Sequence, residues 1–481
     1  MAVYHGLSIS AFANLCGLGH TGSLMPDEPI QPDPPSVPPI IVKHEPTNPL
    51  GWIVTGLLLA LFIAGAVGGY IKQFGAEPSA SMLEENLRYN VHLAANSSST
   101  MAQFSKQGLN DVYEEAVGKA GTSEDAARVA LVAARELEKE APEVALKNLA
   151  DSKDQESRQF AEVYGGEVVT EELVREFEEN GEEGFTVELA RVQAREMLDL
   201  PSGREDLVDK SFVPKMVGAM MGGGLLGLLG LVALIYFLVQ HAQGRLTPVG
   251  MGYSRSDGDR LVLRFGLYLI LFAVAGLAAA SLEEYEPISR ISSIWLSGGV
   301  LLFVLLASVA MVYLPLFGKS DRLSTILGDT TQFGRKVGIG LYGYLCTLPI
   351  IAVVLLLVGI ASKFLPEPSH PISEDIASAS GLDWLAIFLT AAVLAPLLEE
   401  ITFRGMLFPA IATRLRPIMA VVVSGVLFAA IHPQGPLVWP ALATTGGVAA
   451  YLRYYSGSLI PSIVLHMVHN GLIFAFSTLV T

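Results

Sequence analysis

Long apolar runs separated by polar stretches dominate the pattern of this 481-residue chain. The first run, residues 50–71, is long enough to cross a hydrocarbon core of about 30 Å as a helix. Eight further runs follow, at about residues 216–239, 265–281, 294–317, 337–361, 384–413, 418–432, 437–452 and 459–480. The pattern therefore predicts an all-α fold, a polytopic bundle of about nine membrane helices.

One polar stretch, residues 73–215, is too long for a loop and predicts a domain inserted between the first and second spans. Apolar residues recur at helical spacing within residues 124–150 and 171–200, so we expect this domain to be soluble and mostly helical. It carries 30 acidic and 15 basic side chains, most of the net charge of −16. Such a surface disfavours nucleic acid as a partner, and the pattern identifies no other partner for the domain.

Composition supports a membrane protein, because 51% of the residues are apolar and only 16% are charged. Nine prolines between positions 26 and 49 make residues 1–49 a polar, extended tail. We interpret residues 216–317 as accessory membrane helices. The two cysteines, Cys16 and Cys346, support neither a disulfide framework nor a thiolate metal site.

Basic side chains collect in alternate loops, around residues 245–264, 319–336 and 414–416 and at Arg453. By the positive-inside rule these loops are cytoplasmic. Continuing the alternation backwards places the domain of residues 73–215 outside the cytoplasm. We expect a multi-pass protein of a bacterial plasma membrane.

Three charged side chains interrupt the sixth apolar run: Glu399, Glu400 and Arg404. Ionisable residues inside a membrane cost a few kcal/mol or more and usually face an interior cavity where they function. On a helix, Glu400 and Arg404 lie four residues apart and can pair. Glu399, about 100° around the helix, is then left for another role.

The spacing of four recurs in two later runs, where Phe428 precedes His432 and His466 precedes Asn470. Three helices could thus each turn a functional face toward one buried point. There Glu399, with His432 beside it, can deprotonate a water molecule. His466 and Asn470 can donate hydrogen bonds to the oxyanion of an attacked peptide carbonyl. The pattern predicts a hydrolytic site inside the membrane.

Two other interpretations use the same side chains. One carboxylate with two imidazoles is a zinc set with an open position for water, here Glu399, His432 and His466. The close-spaced zinc signature, two histidines four apart with a glutamate between them, is absent, so we favour water activation without a metal. A proton- or cation-coupled transporter would also use these groups, but the internal repeats typical of transporters are not seen.

The three motifs resemble those of the CAAX protease and bacteriocin-processing family, intramembrane endopeptidases also described as abortive-infection or glutamic-type. That family carries Glu-Glu-x-x-x-Arg, Phe-x-x-x-His and His-x-x-x-Asn in this order on separate membrane helices. Here they are residues 399–404, 428–432 and 466–470. The resemblance covers residues 337–481 and implies a protease core there.

The resemblance further implies a membrane-associated protein or peptide as substrate and the lipid bilayer as surroundings. Glu399 and His432 would activate water, and His466 and Asn470 would stabilise the oxyanion. The remaining motif residues would support the geometry: Glu400, Arg404 and Phe428. An inactive family member that serves as a membrane scaffold is a further alternative.

Overall fold

The computed structural model describes residues 49–73, 80–95, 99–166, 169–179, 184–283, 293–316, 319, 321–361 and 381–480. These residues form helices and no strand beyond isolated bridges, so the all-α prediction is confirmed for them. The proline-rich tail lies outside them, apart from its last residue. The chain divides into two compact units, residues 1–74 with 223–475 and residues 75–222 with 476–481.

The helices are numbered here in chain order. They are α1 Leu50–Gln73, α2 Ala80–Ala95, α3 Ser99–Lys119, α4 Glu124–Glu136, α5 Glu143–Ala150, α6 Gln155–Tyr164, α7 Glu171–Glu179, α8 Phe185–Met197, α9 Arg204–Leu207, α10 Phe212–Ala242, α11 Arg255–Glu283, α12 Ser293–Val312, α13 Leu323–Leu327, α14 Phe333–Ala361, α15 Asp383–Ala412, α16 Pro417–Ala430, α17 Trp439–Ser456 and α18 Ile460–Val480.

Among the described residues, seven helical stretches are long and apolar enough to cross a membrane: α1, α9 together with α10, α11, α12, α14, α15 and α18. The protein is therefore a multi-pass integral membrane protein. The predicted count of nine is not confirmed. The 14 residues of α16 give only about 21 Å at a rise of 1.5 Å per residue. The sequence of α17 includes threonine, glycine, arginine and tyrosine, which reduce its apolar character.

The second unit contains α2 to α9. Helices α4 and α5 lie within residues 124–150, and α7 and α8 within residues 171–200, where the periodicity predicted helix. Its core includes the fully buried side chains of Leu131, Phe160 and Phe177. Two helix starts are capped as the sequence favours. The Ser123 hydroxyl accepts the amide hydrogen of Ala126, and the Asp154 carboxylate accepts that of Ser157.

His92 on α2 is a buried titratable side chain in the second unit. Its ring packs between Phe185 and Phe212, with centroids 5.5 and 5.4 Å away, and its Nδ1 accepts the amide hydrogen of Asp209 at 3.2 Å. Burial, followed by the charge of Arg88, lowers the pKa of His92 below its usual 6.5, against the opposing effect of Asp209. The folded unit therefore favours the neutral ring.

We expect the stability that His92 contributes to be fully present above pH 6.5 and to be lost as the pH falls through the lower folded pKa. Hydrogen exchange of residues 80–95 in the full-length protein should accelerate across this window. In His92→Gln the amide oxygen can still accept the Asp209 amide hydrogen but does not titrate, so the acceleration should be smaller. Equal pH dependence in both proteins would contradict the assignment.

In the first unit, α15 packs against α11 and α13. The rings of Phe265 and Phe403 meet edge to face at 5.0 Å, and both side chains are fully buried. The accessory helix α11 thus contributes directly to the core around α15. Of the glycines in residues 222–230, only Gly230 lies against a neighbouring helix, where an added Cβ would meet Pro349 at 3.0 Å.

Several basic residues assigned to cytoplasmic loops are buried instead. Arg260 and Arg264 lie within α11, and both pair with Asp321, at 3.1 and 3.0 Å. Arg264 also donates to the Leu314 carbonyl at 2.9 Å. Arg453 is 1% exposed and donates to carbonyl groups that include that of Ile326. These charges satisfy buried partners, so they carry less topological information than the charge count suggested, and the orientation remains a prediction.

Candidate active site

Two segments of α15 are wound as π-helix, Leu389–Leu394 and Glu400–Leu407. Sequence analysis treated the run as a regular α-helix. Such π segments are rare and are frequently found at functional sites. The second π segment begins at Glu400, directly after Glu399. Both glutamates face the same histidine, His466.

The predicted Glu400–Arg404 pair is present and fully buried. Arg404 Nη1 lies 2.9 Å from Glu400 Oε1, and neither side chain has exposed surface. Arg404 Nη2 donates to the carbonyl of Gly446 on α17 at 3.0 Å. Its guanidinium also lies over the ring of Phe428, 4.2 Å from the centroid. Arg404 thus connects α15 with α16 and α17.

Close packing of α16 against α17 depends on glycine. A Cβ at Gly446 would lie 2.9 Å from both Arg404 Nη2 and the Phe428 ring, and one at Gly425 would lie 2.7 Å from the Ala443 carbonyl oxygen. A side chain at either position would force these neighbours apart. The two glycines therefore allow the approach that places Phe428 beside Arg404.

His432 follows the C-terminal end of α16. Its Nδ1 lies 2.5 Å from the Phe428 carbonyl oxygen, and the rings of the two residues are 4.6 Å apart. Trp439, at the start of α17, donates its indole N–H to the carbonyl of His432 at 3.3 Å. These contacts fix the ring so that Nε2 is directed to Glu399, whose Oε2 is 3.9 Å away.

His466 on α18 lies between the two glutamates. Its Nδ1 is 2.9 Å from Glu400 Oε1, and its Nε2 is 3.7 Å from Glu399 Oε2. The side chain of Glu399 is 24% exposed, whereas those of His432 and His466 are 18% and 7% exposed. The structure therefore brings these three side chains together at one partly accessible point.

Asn470 lies one turn beyond His466 on α18. Its Nδ2 donates to the carbonyl of Ala391 at 2.8 Å, within the first π segment of α15. An amide nitrogen carries two hydrogens, so one remains for another acceptor. Asn470 thus holds α18 against α15.

Sequence reasoning missed residues that support this arrangement from a distance. Tyr268 on α11 is 4% exposed and pairs with the hydroxyl of Thr402, which itself donates to the Leu398 carbonyl at 2.8 Å. A tyrosine in an apolar run is ordinary, and only the packing of α11 on α15 gives it significance. The sequence likewise did not single out Gly446 and Trp439, because their importance depends on the residues that pack against them in the fold.

The candidate zinc set consists of Glu399, His432 and His466. Within the part of the chain that the structure describes, no group of three or more His, Cys, Asp or Glu side chains has a spacing suited to a metal ion. The Glu399 carboxylate lies 3.7 to 3.9 Å from the two imidazoles. Metal dependence stays a prediction, which the chelation experiment below tests.

Comparison with known proteins identifies a family that part of this chain matches. Residues 381–472 match the family model described as Type II CAAX prenyl endopeptidase Rce1-like. An Escherichia coli protein described as an uncharacterized 24.3 kDa protein is 32% identical over 122 residues, which cover 24% of this chain and 56% of that protein. The match thus spans about half of that relative, and no solved structure matches the chain.

The matched residues contain all three motifs that carried the resemblance, on α15, α16 and its following turn, and α18. The family predicted from the motifs is therefore confirmed. The segment of residues 381–472 thus matches the type II CAAX prenyl endopeptidase, Rce1-like family, a family of membrane proteases.

Proposed function

We propose that this protein is an intramembrane endopeptidase that hydrolyses a peptide bond of a membrane-associated protein or peptide. One observation carries the proposal. Glu399 Oε2 faces the Nε2 atoms of both His466 and His432, at 3.7 and 3.9 Å. A carboxylate shared by two imidazoles inside a membrane protein suits water activation.

The Glu399–His432 distance fits a water molecule held by both groups. At 3.9 Å the two atoms are too far apart for a direct hydrogen bond. A water about 2.8 Å from each of them fits such a separation. Its two hydrogens would point to the carboxylate and the imidazole, which leaves an oxygen lone pair directed toward a substrate carbonyl.

The hydrogen bond of His432 to the backbone sets its tautomer. Because Nδ1 lies 2.5 Å from the Phe428 carbonyl oxygen, an acceptor, Nδ1 carries the hydrogen and Nε2 the lone pair. Nε2 can then accept a hydrogen bond from the water while Glu399 takes the proton. On attack the water oxygen bonds to the carbonyl carbon. The carbonyl oxygen becomes an oxyanion in this step. As the oxyanion re-forms the carbonyl, the C–N bond breaks and the proton on Glu399 passes to the leaving amine.

Oxyanion stabilisation is assigned to α18. The second amide hydrogen of Asn470 is a suitable donor, because the first is bound to Ala391. His466 donates Nδ1–H to Glu400 at 2.9 Å, so its Nε2 accepts in the neutral ring and donates only with a second proton. A protonated His466 would be a cation facing both glutamates, with an N–H available for the oxyanion.

Water activation by the protein's own groups predicts that the reaction survives chelation. We expect cleavage by the purified, reconstituted protein to proceed at an undiminished rate after dialysis against a strong chelator and reconstitution in metal-free buffer. The measurement is the initial rate of product formation, with a zinc-dependent membrane protease treated in parallel as the control. A rate that falls and returns on adding zinc would instead support Glu399, His432 and His466 as zinc ligands.

Location and partners extend the proposal. We propose that the protein lies in a bacterial plasma membrane, and the charge alternation supports an orientation with residues 73–215 outside the cytoplasm. A net charge of −15 between residues 73 and 215 would repel nucleic acid. The lipid bilayer and a membrane-associated substrate are the proposed surroundings.

The proposed function is tested by finding substrates. Membranes containing the wild-type protein or Glu399→Ala are compared for new protein N-termini and for accumulated precursors. Precursors should accumulate and their fragments should disappear in the variant. Fragments that persist unchanged would reject the assignment.

A further inference from the structure

The loop of residues 431–438 carries His432 between α16 and α17. The loop turns at Gly435, whose φ of +84° is a left-handed value that favours glycine. The carbonyl of Gly435 accepts the amide hydrogen of Val438 at 3.1 Å. The indole N–H of Trp439 donates to the His432 carbonyl at 3.3 Å. This hydrogen bond connects His432 with the residue that follows the loop, so the turn and the histidine are held together.

Tyr70, near the end of α1, packs on this turn. Its side chain is 3% exposed. A Cβ added at Gly435 would overlap three ring atoms of Tyr70, so the ring lies directly against the Gly435 backbone. Tyr70 lies more than 300 positions before the residues that match the family model. The loop is therefore supported by a helix outside the matched segment.

The other end of α1 is attached to the helix that carries Glu399. Trp52 donates its indole N–H to Asp259 Oδ1 at 2.7 Å, and the same oxygen pairs with Arg414. The Arg414 guanidinium also lies 5.2 Å from the centre of the Trp52 ring. Arg414 comes two residues after the end of α15.

The side of α1 is held equally closely by α11. Thr55 donates to the Val262 carbonyl at 2.8 Å. A Cβ at Gly266 would overlap the Thr55 hydroxyl. Such close contact leaves α1 little freedom to slide. One helix thus contacts α11, the end of α15 and the His432 loop.

We propose that Tyr70 is a positioning residue for His432, and that α1 fixes the separation between the His432 loop and the helix bearing Glu399. The active site then requires a helix that the family model does not include. The catalytic consequence rests on the proposed function. The positioning itself concerns only the structure and is measurable without a substrate.

The first test compares Tyr70→Ala with Tyr70→Phe and with Ile71→Ala, a change of the adjacent, 60% exposed residue. Hydrogen exchange of residues 431–438 is measured in the full-length protein in nanodiscs. Removal of the ring leaves a cavity under Gly435, so exchange should accelerate roughly tenfold or more in Tyr70→Ala. It should stay near the wild-type rate in Tyr70→Phe and Ile71→Ala.

A second readout reports on the imidazole itself. The rate at which diethyl pyrocarbonate modifies His432 is followed by mass spectrometry over a range of pH. Tyr70→Ala should raise the rate and change its pH dependence, whereas a loss of general stability would change all histidines alike. Should Tyr70→Ala fail to fold, Tyr70→Leu retains part of the volume and is expected to show the same direction.

The contact between Tyr70 and Gly435 is tested directly by adding volume at one residue and removing it at the other. Gly435→Ala should disturb the loop in the wild-type background, because its Cβ overlaps the Tyr70 ring. The double variant with Tyr70→Ala should show slower exchange than Gly435→Ala alone, although the left-handed backbone still disfavours alanine. Additive effects of the two changes would overturn the inference.

Activity separates this inference from the proposed function. Once a substrate is known, Tyr70→Ala should lower kcat roughly tenfold with little change in KM. The kcat of Tyr70→Phe should be close to that of the wild type. Equal cleavage by the wild type and Glu399→Ala would remove the proposed function and leave the exchange result standing. Exchange and modification in Tyr70→Ala that match those in Ile71→Ala would remove the positioning role.

Discussion

Glu399→Gln should reduce kcat/KM for peptide cleavage by about 100-fold or more, the lower part of the range for loss of a general base. The amide has nearly the shape of the carboxylate but cannot accept a proton from water. It can still contact His432 and His466, now 3.9 and 3.7 Å from Glu399 Oε2. The measurement is the ratio of precursor to product in reconstituted membranes, alongside the melting temperature of each protein.

The matched control is Glu172→Gln, which makes the same change at an exposed position of α7 in the second unit. It should cleave at the wild-type rate. Similar melting temperatures for both variants would show that loss of cleavage has a chemical cause. Wild-type cleavage in Glu399→Gln would contradict the role of Glu399 as the general base.

The residues of the candidate site could be selected from the sequence because polar groups inside apolar runs are rare and costly. Glu399, His432 and His466 were selected on this ground and lie together in the structure. The pairing of Glu400 with Arg404 was also predictable, because it depends only on spacing along one helix. Each of these features can be recognised from a short stretch of sequence.

Features that depend on contacts between distant helices were not predictable. The π winding of Glu400–Leu407 and the position of His466 against both glutamates had no local signal in the sequence. Gly446 resembled any other glycine until Arg404 and Phe428 were packed against it. Tyr70 matched the interfacial tyrosine expected at the end of a membrane span, and only the fold places it against Gly435.

The assignment of two arginines to a loop was wrong for a related reason. Arg260 and Arg264 precede an apolar run and were therefore assigned to a loop. In the structure the helix begins earlier, at Arg255, and both guanidinium groups are buried against Asp321. The apolar pattern marks where a helix enters hydrocarbon, whereas the helix itself extends as far as its charges find partners. Nothing in the pattern of the sequence indicated that Asp321 would be that partner.

Arg404→Met should lower the free energy of unfolding by about 3–5 kcal/mol, the usual cost of leaving one partner of a buried ion pair without the other. The carboxylate of Glu400 would remain fully buried, with only His466 Nδ1 at 2.9 Å to compensate it. The Gly446 carbonyl would also lose its donor. The measurement is reversible denaturation in mixed micelles, with Arg416→Met, at an exposed position, as the control.

The double variant Glu400→Gln with Arg404→Met separates stability from chemistry. Removing both charges should recover most of the lost stability, because the buried charge without a partner is the main penalty. Cleavage should stay low, since His466 then lacks the ionised carboxylate that holds its Nδ1–H and would stabilise its charged form. If cleavage returned together with stability, Glu400 would be needed only to neutralise Arg404, and its link to His466 would have no part in the reaction.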